Sequence, residues 1–454
     1  MNPKKKSTNF TICLIGALLL FCVAGLTTMA SGQQPGGEST IYSFTQFESG
    51  YVPIDVIQGP DGNWYGATQV GGSSDCISGC GVIYKLVPSS TGWIEQVIHT
   101  FTAEGNDGLN PNGSLVFDAQ GNLWGTAPYG GQFQQGVVFE LTPTRNGEWT
   151  ETIVHSFGGG PDDGIEPWGH LLLQNGKLIG TTQYGGGSYC DGYGCGTVFE
   201  LSHNAGSAWT YNIIYNFNDA EGLLGGYPNP GLIPNNPAAH GLNLTAGALY
   251  GTASASFSPG YQSGGEVFQL VPPVSGNKWT VKVLYTFPWQ GGSNEDGFWP
   301  VMGVIMDTHG NLFGTTINGG QSSPSCQQPF PWNCGTVYEV TPTSKPSQWT
   351  ETVIHSFGGP PNDGLLPQSF LSFDSSGALY GVTPRGGNSQ NCGYGCGTVF
   401  KMVKEGGSWT ESVVVSFNAS DGWWPDDQLN MGADGWFYGT AQSMQYGLVY
   451  KFKP

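Results

Sequence analysis

The chain has 454 residues, of which 14 are Lys or Arg and 33 are Asp or Glu, for a formal charge of −19 at neutral pH. So few basic residues exclude nucleic acid and anionic lipid as partners, because both are held by basic patches. With 74 Gly and 13% aromatic residues, and apolar residues alternating throughout, the composition is that of a turn-rich β protein and excludes a disordered one.

Taken in order, residues 1–32 read as a cleaved signal peptide. Lys4, Lys5 and Lys6 form its positive start, Ile12 to Leu26 its apolar stretch, and Thr28-Met29-Ala30 a small-residue cleavage site. The apolar stretch is short for a membrane span, so no stable span is expected after cleavage. Removing residues 1–30 takes three lysines and no acid, leaving 11 basic against 33 acidic residues, a charge of −22. A secreted, extracellular or periplasmic protein is expected.

The mature chain then repeats itself. A strand stub, Ile41-Tyr42-Ser43-Phe44, opens it, and fuller copies follow, best seen in Trp149-Thr150-Glu151-Thr152-Ile153-Val154-His155-Ser156-Phe157 and again from Trp349 to Phe357. Weaker copies end at Phe101, Phe217, Phe287 and Phe417. In the clearest copy, period-2 alternation puts Trp149, Glu151, Ile153, His155 and Phe157 on one face. Two more strands march with this one. One centres on aromatic-Gly-Thr a few residues after a turn glycine, as in Gly121-Asn122-Leu123-Trp124-Gly125-Thr126. The other starts at Gly81, Gly136, Gly196, Gly265, Gly335, Gly397 and Gly447. An Asp-Gly-x-x-Pro turn and an apolar segment precede them.

Four short strands in each of seven units predict an all-β, seven-bladed β-propeller with four antiparallel strands per blade, a single domain over residues 33–454. We call the strands a to d from the axis outward. The last unit has three strands, so the orphan N-terminal strand is expected to complete the last blade and close the ring. The a–b and c–d turns are uniform in length, while the b–c and d–a loops vary; the face carrying the variable loops is the expected functional one.

These units resemble the GloVer-type tandem repeat of exported bacterial proteins, many of which carry a C-terminal anchoring domain. The resemblance rests on the Asn-Leu-Tyr-Gly-Thr-like, Gly-Thr-Val-Phe-Glu-Leu and Trp-Thr-Glu-x-Val-x-His-Ser-Phe elements and covers residues 41–454. It implies export and a propeller-like repeat, and it implies no reaction. This chain departs from anchored members by ending directly after its last strand.

Eight mature cysteines fall as four close pairs in b–c loops: Cys76 with Cys80, Cys190 with Cys195, Cys326 with Cys334, and Cys392 with Cys396. Local disulfides are expected, since pairs in different blades do not converge on one metal. His99, His155 and His355 share one repeat register and read as packing. His170 and His240 break the repeat near the start of the innermost strand in adjacent blades. With Glu166, Asp426 and Asp427 they form the catalytic candidates. Trp168, Trp299, Trp423, Trp424 and Tyr51, with Phe298, are expected at the axial mouth, where exposed aromatics beside carboxylates stack on sugar rings. Asp107, Asp163, Asp296, Asp363 and Asp421 read as turn-capping residues, with Glu48 and Glu221 in the degraded copies. No cofactor is expected: Ca²⁺ is the one these oxygen-rich turns admit, and no stretch matches an Asp-x-Asp-x-Asp-Gly loop. The composite expectation is an exported module binding extracellular glycan or a surface macromolecule, with a secreted polysaccharide lyase or glycoside hydrolase as the alternative.

Overall fold

The computed structural model describes residues 38–454, apart from 189, 191, 204–207, 218–226, 235–245, 255–262, 277, 290–294, 327–332, 346 and 445, and apart from the side chains of 426 and 427. Residues 1–32, where a signal peptide is expected, lie outside the described residues.

Seven four-stranded antiparallel sheets form the blades of a propeller. Blade 2 shows the pattern, with strands Val116–Phe117, Leu123–Ala127, Val137–Pro143 and Trp149–Ser156 in order from the axis outward. Blade 7 takes its first three strands from the C-terminus (Trp423–Met431, Phe437–Gln442, Leu448–Phe452) and its outermost from Ser39–Ser43. Ser39 pairs with Lys451 and Ser43 with Leu448, so the N-terminal strand closes the ring.

Each outermost strand carries a bulge where it crosses the aromatic of strand c. In blade 2, Val138 faces His155 but Phe139 faces Ile153, leaving Val154 unpaired. The same shift occurs in every blade, the closing one included. A bulge bends the strand and re-aims its end, so the alternation read from the sequence holds only up to Ile153.

Three repeated devices build each blade junction, the first within a blade and the other two across to the next. The amide of each terminal Phe donates to the carbonyl of its blade's strand-c glycine, as in Phe157 to Gly136 at 2.9 Å and Phe44 to Gly447 at 3.0 Å. That glycine has positive φ and lies against the proline opening the next blade, Gly136 against Pro167 and Gly447 against Pro53, where any Cβ would strike the ring. A strand-b threonine hydroxyl then reaches a carbonyl of the next innermost segment, as in Thr252 to Met302 at 2.7 Å and Thr440 to Ile54 at 2.7 Å. Blades 1 and 6 lack this threonine, with Ala67 and Val382 in its place, and in blade 1 a carboxylate takes over the junction. There the buried Asp55 accepts from Ser114 of blade 2 and, at 2.8 Å, from Asn430 of blade 7. Aromatic and aliphatic side chains fill the space between blades, with Trp64 stacked on Tyr438 at 3.9 Å across the closing junction.

Candidate ligand-binding face

Each Asp-Gly-x-x-Pro turn carries the chain from one blade's rim to the next blade's axis. Its second x is left-handed in all seven turns: Val52 (φ 58°), Asn110 (56°), Glu166 (56°), Tyr227 (56°), Trp299 (65°), Leu366 (59°) and Trp424 (51°). Gly or Asn is the residue this region favours; other side chains cost roughly 1–2 kcal/mol each, and a β-branched one such as Val52 is a true outlier. Two features enforce the conformation. The following proline disfavours the right-handed helical region for the residue before it. The residue's own amide donates to the carbonyl just ahead of the preceding blade's strand-c glycine, at 2.5–3.0 Å in all seven cases.

Four of those seven carbonyls belong to cysteines. Cys80 receives Asn110, Cys195 receives Tyr227, Cys334 receives Leu366, and Cys396 receives Trp424. All four are disulfide-bonded in the expected local pairs, with Cys76, Cys190, Cys326 and Cys392. The disulfides therefore brace the acceptors that hold the strained residues.

At the axis, a cavity of about 350 Å³ opens among blades 1 to 5. The residue following each blade's opening proline faces it: Ile54, Asn112, Trp168, Asn229 and Val301. Tyr227 and Trp299, two of the left-handed residues, line it as well, as does His170. Beside the cavity, Phe370 of blade 6 crosses the axis; its ring lies 4.4 Å from that of His170 and covers Gly231 and Gly303, where a Cβ would strike it. A second hollow of about 570 Å³ lies further out between blades 2 and 3, lined by Tyr129, Gln135, Ile165, Glu166, Tyr184 and Tyr193.

The candidates named from sequence are only partly brought together. Trp168, Trp299 and His170 share the axial cavity. Glu166 turns to Trp168, accepting from its indole Nε1 at 2.9 Å, rather than to a histidine. His240 lies outside the described residues, and the register expected for it belongs to Gly231. Pro228 answers Pro167, and the innermost strand of blade 4 is already Ile233–Pro234. The extra residues of that unit thus fall after the innermost strand as well as before it, which misled the count. Asp426 stands directly after the opening proline of blade 7, on strand Trp423–Met431 with Asp427; their side chains lie outside the described residues.

Trp423 and Phe298 correct the expectation of a mouth position. They occupy the first x of the turn, which points inward: Phe298 is buried in the core between blades 4 and 5, and Trp423 packs on that between blades 6 and 7. Tyr51, also a first x, donates to the carbonyl of Ser78 at 2.8 Å and lies beside Tyr446. Trp424 stays exposed under the Arg385 guanidinium, 4.9 Å from the ring centre, with Tyr394 at 5.7 Å from the same cation. Sequence reasoning missed Arg385, Tyr129 and Tyr184, which share the position before Gly-Gly after strand b, a register that was visible in the sequence.

The turn aspartates are capped as expected. Asp107 accepts the amides of Thr102 and Gly108 at 2.9 and 2.7 Å, Asp163 those of Gly158, Gly159 and Gly164, and Asp363 those of Gly358 and Gly364. The amide of Asn418 likewise reaches Asp421 at 2.6 Å, while Asp296 accepts from the Tyr285 hydroxyl at 3.0 Å. In the closing junction Ser49-Gly50, not Glu48, holds the Asp-Gly place, because Gly50 lies against Thr68 as Gly164 lies against Thr182 and Gly364 against Thr383. Glu221 lies outside the described residues.

The Trp-Thr-Glu-register glutamate of the next blade faces the turns of Asp107, Asp296 and Asp363. Burial pushes Glu151 up to about 7, with His99 opposing and Asp107 adding to the rise. Burial likewise raises Glu351 to about 8, helped by Asp296, and Glu411 to about 7, helped by Asp363. Glu38, on the N-terminal side of the closing strand, rises to about 7 by burial and the nearby Asp421.

Several solved propeller structures resemble this chain at low identity. A fungal alcohol oxidase of the AA5 family, in complex with copper, is 13% identical, with a TM-score of 0.48 over 91% of this chain and 76% of its own. A Bacteroides uniformis protein assigned as a 6-phosphogluconolactonase is 11% identical, with a TM-score of 0.45 over 88% of this chain and 94% of its own. Penicillium chrysogenum α-L-arabinanase, complexed with arabinobiose, is 14% identical, with a TM-score of 0.40 over 77% of this chain and 94% of its own. No curated protein matches the sequence. The Gloeobacter/Verrucomicrobia repeat profile matches residues 27–245 and again 243–454. With nearly its whole length accounted for by those two matches, the chain belongs to the Gloeobacter/Verrucomicrobia repeat family.

Proposed function

We propose that the protein is an exported binding module whose ligand is an extracellular glycan, held at the axial cavity by Trp168, Tyr227 and Trp299. One observation carries the reading: six of the seven turns keep a costly left-handed residue where Gly or Asn would be favoured, and the side chains placed there differ from blade to blade. A position needed for folding alone would favour Gly or Asn; retained bulk points to contact with something outside the fold. Aromatic faces around a cavity of about 350 Å³ are suited to stacking on the apolar faces of sugar rings. Binding rather than catalysis is favoured by the lining. Among the described residues it offers His170 and Tyr227 as titratable groups, and Glu166 is committed to Trp168 instead of being paired across a scissile bond. Four disulfides fit a compartment that oxidises thiols, and no helix among the described residues is long and apolar enough to cross a membrane.

The test is a glycan array followed by calorimetry on each hit, with turnover assayed in parallel. The double variant Trp168→Ala/Trp299→Ala is expected to weaken binding roughly 10- to 100-fold, from two lost stacking contacts, and to keep its β-sheet spectrum. Unchanged affinity in that variant, or cleavage of the bound glycan by the native protein, overturns the reading.

A further inference from the structure

The rim of the ring carries a second constellation, away from the axial cavity. At the junction of blades 1 and 2, His99 of one outermost strand, Asp107 of the turn and Glu151 of the next outermost strand bring one ligand atom each within 4.8 Å of one another. At the junction of blades 5 and 6, His355, Asp363 and Glu411 do the same from the same repeat positions. We propose that each triad is a site for a divalent first-row transition ion of the Zn²⁺ or Mn²⁺ class.

At the junction of blades 1 and 2 the spacing is that of ligands around an ion more than that of a hydrogen-bonded cluster, while at the junction of blades 5 and 6 His355 Nε2 also lies within hydrogen-bond reach of Asp363 Oδ2, at 3.2 Å. His99 Nε2 lies 3.5 Å from Asp107 Oδ1 and 3.4 Å from Glu151 Oε1. Those are the edges of a coordination tetrahedron, about 3.4 Å when metal–ligand bonds are near 2.1 Å. Both His99 Nε2 and Glu151 Oε1 are shut off from solvent without a hydrogen-bond partner, as is Glu411 Oε1. Each aspartate accepts backbone amides, yet a carboxylate offers about four lone-pair sites, so capacity for an ion remains. The histidines are fixed edge-on to Phe101 and Phe357, at 4.5 and 4.7 Å. An imidazole beside two carboxylates suits Zn²⁺ or Mn²⁺ and disfavours Ca²⁺ and Mg²⁺, which take oxygen ligands. Two carboxylates also match the charge of a divalent ion.

The molecule contains its own control. At the junction of blades 2 and 3, His155 and Asp163 recur 3.6 Å apart, but Tyr211 stands in the glutamate's place and stacks on the imidazole at 3.8 Å. That junction should hold no ion.

The rival occupant is a proton shared between the glutamate and the aspartate. To decide, chelator-stripped full-length mature protein is equilibrated with Co²⁺ or Zn²⁺, dialysed, and assayed for bound metal and for cobalt ligand-field absorption. Two ions per chain are expected. Glu151→Gln and His355→Ala should each remove one, and their combination both, with the metal-dependent rise in Tm lost in step. Tyr211→Glu should add a third. No retained metal in the native protein, or a stoichiometry unchanged in the double variant, overturns the proposal and leaves the shared proton. If any variant fails to fold, the cobalt spectrum of the native protein decides alone, since carboxylate and imidazole ligation give bands that free Co²⁺ lacks.

Discussion

Val52 holds a β-branched side chain at φ 58°, a conformation stabilised by its amide bond to Tyr446 and by Pro53 behind it. Val52→Gly removes the steric penalty and keeps the bond, so it is expected to raise stability by about 1 kcal/mol or leave it level, despite the extra freedom of the unfolded glycine. Gly136→Ala is the opposite case. Its φ of 102° is hostile to alanine, and the new Cβ would meet Pro167 and the carbonyls of Ala127 and Pro128. A loss of about 2–4 kcal/mol is expected, read as a lower melting temperature and urea midpoint. A tolerated alanine there would mean the blade junction yields more easily than this packing implies.

At the scale of the element, the N-terminal strand behaves as a detachable part of blade 7. It contributes Phe44 to the core shared with blade 1, and Tyr42 donates to Glu95 across the same junction at 2.9 Å. Deleting residues 33–46 removes that ladder and bares the edge of Leu448–Phe452, so the truncated protein should melt markedly lower and aggregate on warming. An unchanged melting curve would refute closure by this strand. The disulfide loops act on a smaller scale. Cys392→Ser/Cys396→Ser frees the carbonyl that holds Trp424, and should weaken any ligand contact made by Trp424 and Arg385 while costing only about 1–3 kcal/mol of stability.

Over the whole molecule, the rim glutamates set a pH dependence. Glu38, Glu151 and Glu411 titrate near 7 and Glu351 near 8 in the folded protein, all raised chiefly by burial, against 4.5 when unfolded. A raised carboxyl contributes stability that is complete below pH 4.5 and is lost as pH climbs through the folded value. Asp61 runs the other way: burial opposes ionisation, but bonds from Lys85, Asn63 and Tyr65 hold it at about 2, so its contribution fades only in strong acid. The melting temperature should therefore fall from pH 5 to pH 8.5, and a rise over that interval would exclude the buried protonated glutamates. Bound metal, by displacing those protons, should flatten the slope.

What could be read beforehand follows from the same physics. The seven units, the closing strand and the disulfides were legible because each is written in residue types at fixed spacing. The register expected for His240 belongs to Gly231, because the residues after Ile233–Pro234 shift a count anchored on later glycines, and His240 itself lies outside the described residues. The bulge at Val154 does not disturb the alternation of residue types, so nothing in sequence announced it. The left-handed position stayed hidden because it is a property of the backbone, and its side chains share no chemistry. The metal triads stayed hidden because their members come from two blades and meet only once the ring is formed.

The bonds that hold the seven left-handed residues run from main-chain amide to main-chain carbonyl and make no reference to the side chain carried. What the face displays and what keeps the ring together are thus encoded at different positions. Codons 52, 166, 227, 299, 366 and 424 can change without disturbing a ladder bond, apart from any core contact the side chain itself makes, whereas the Asn110 side-chain amide also donates to the Gln69 carbonyl across the junction, at 2.9 Å. Such a scaffold behaves like a six-place dial: relatives can keep one architecture and diverge in what they recognise, and a new specificity can be installed by rewriting those places alone.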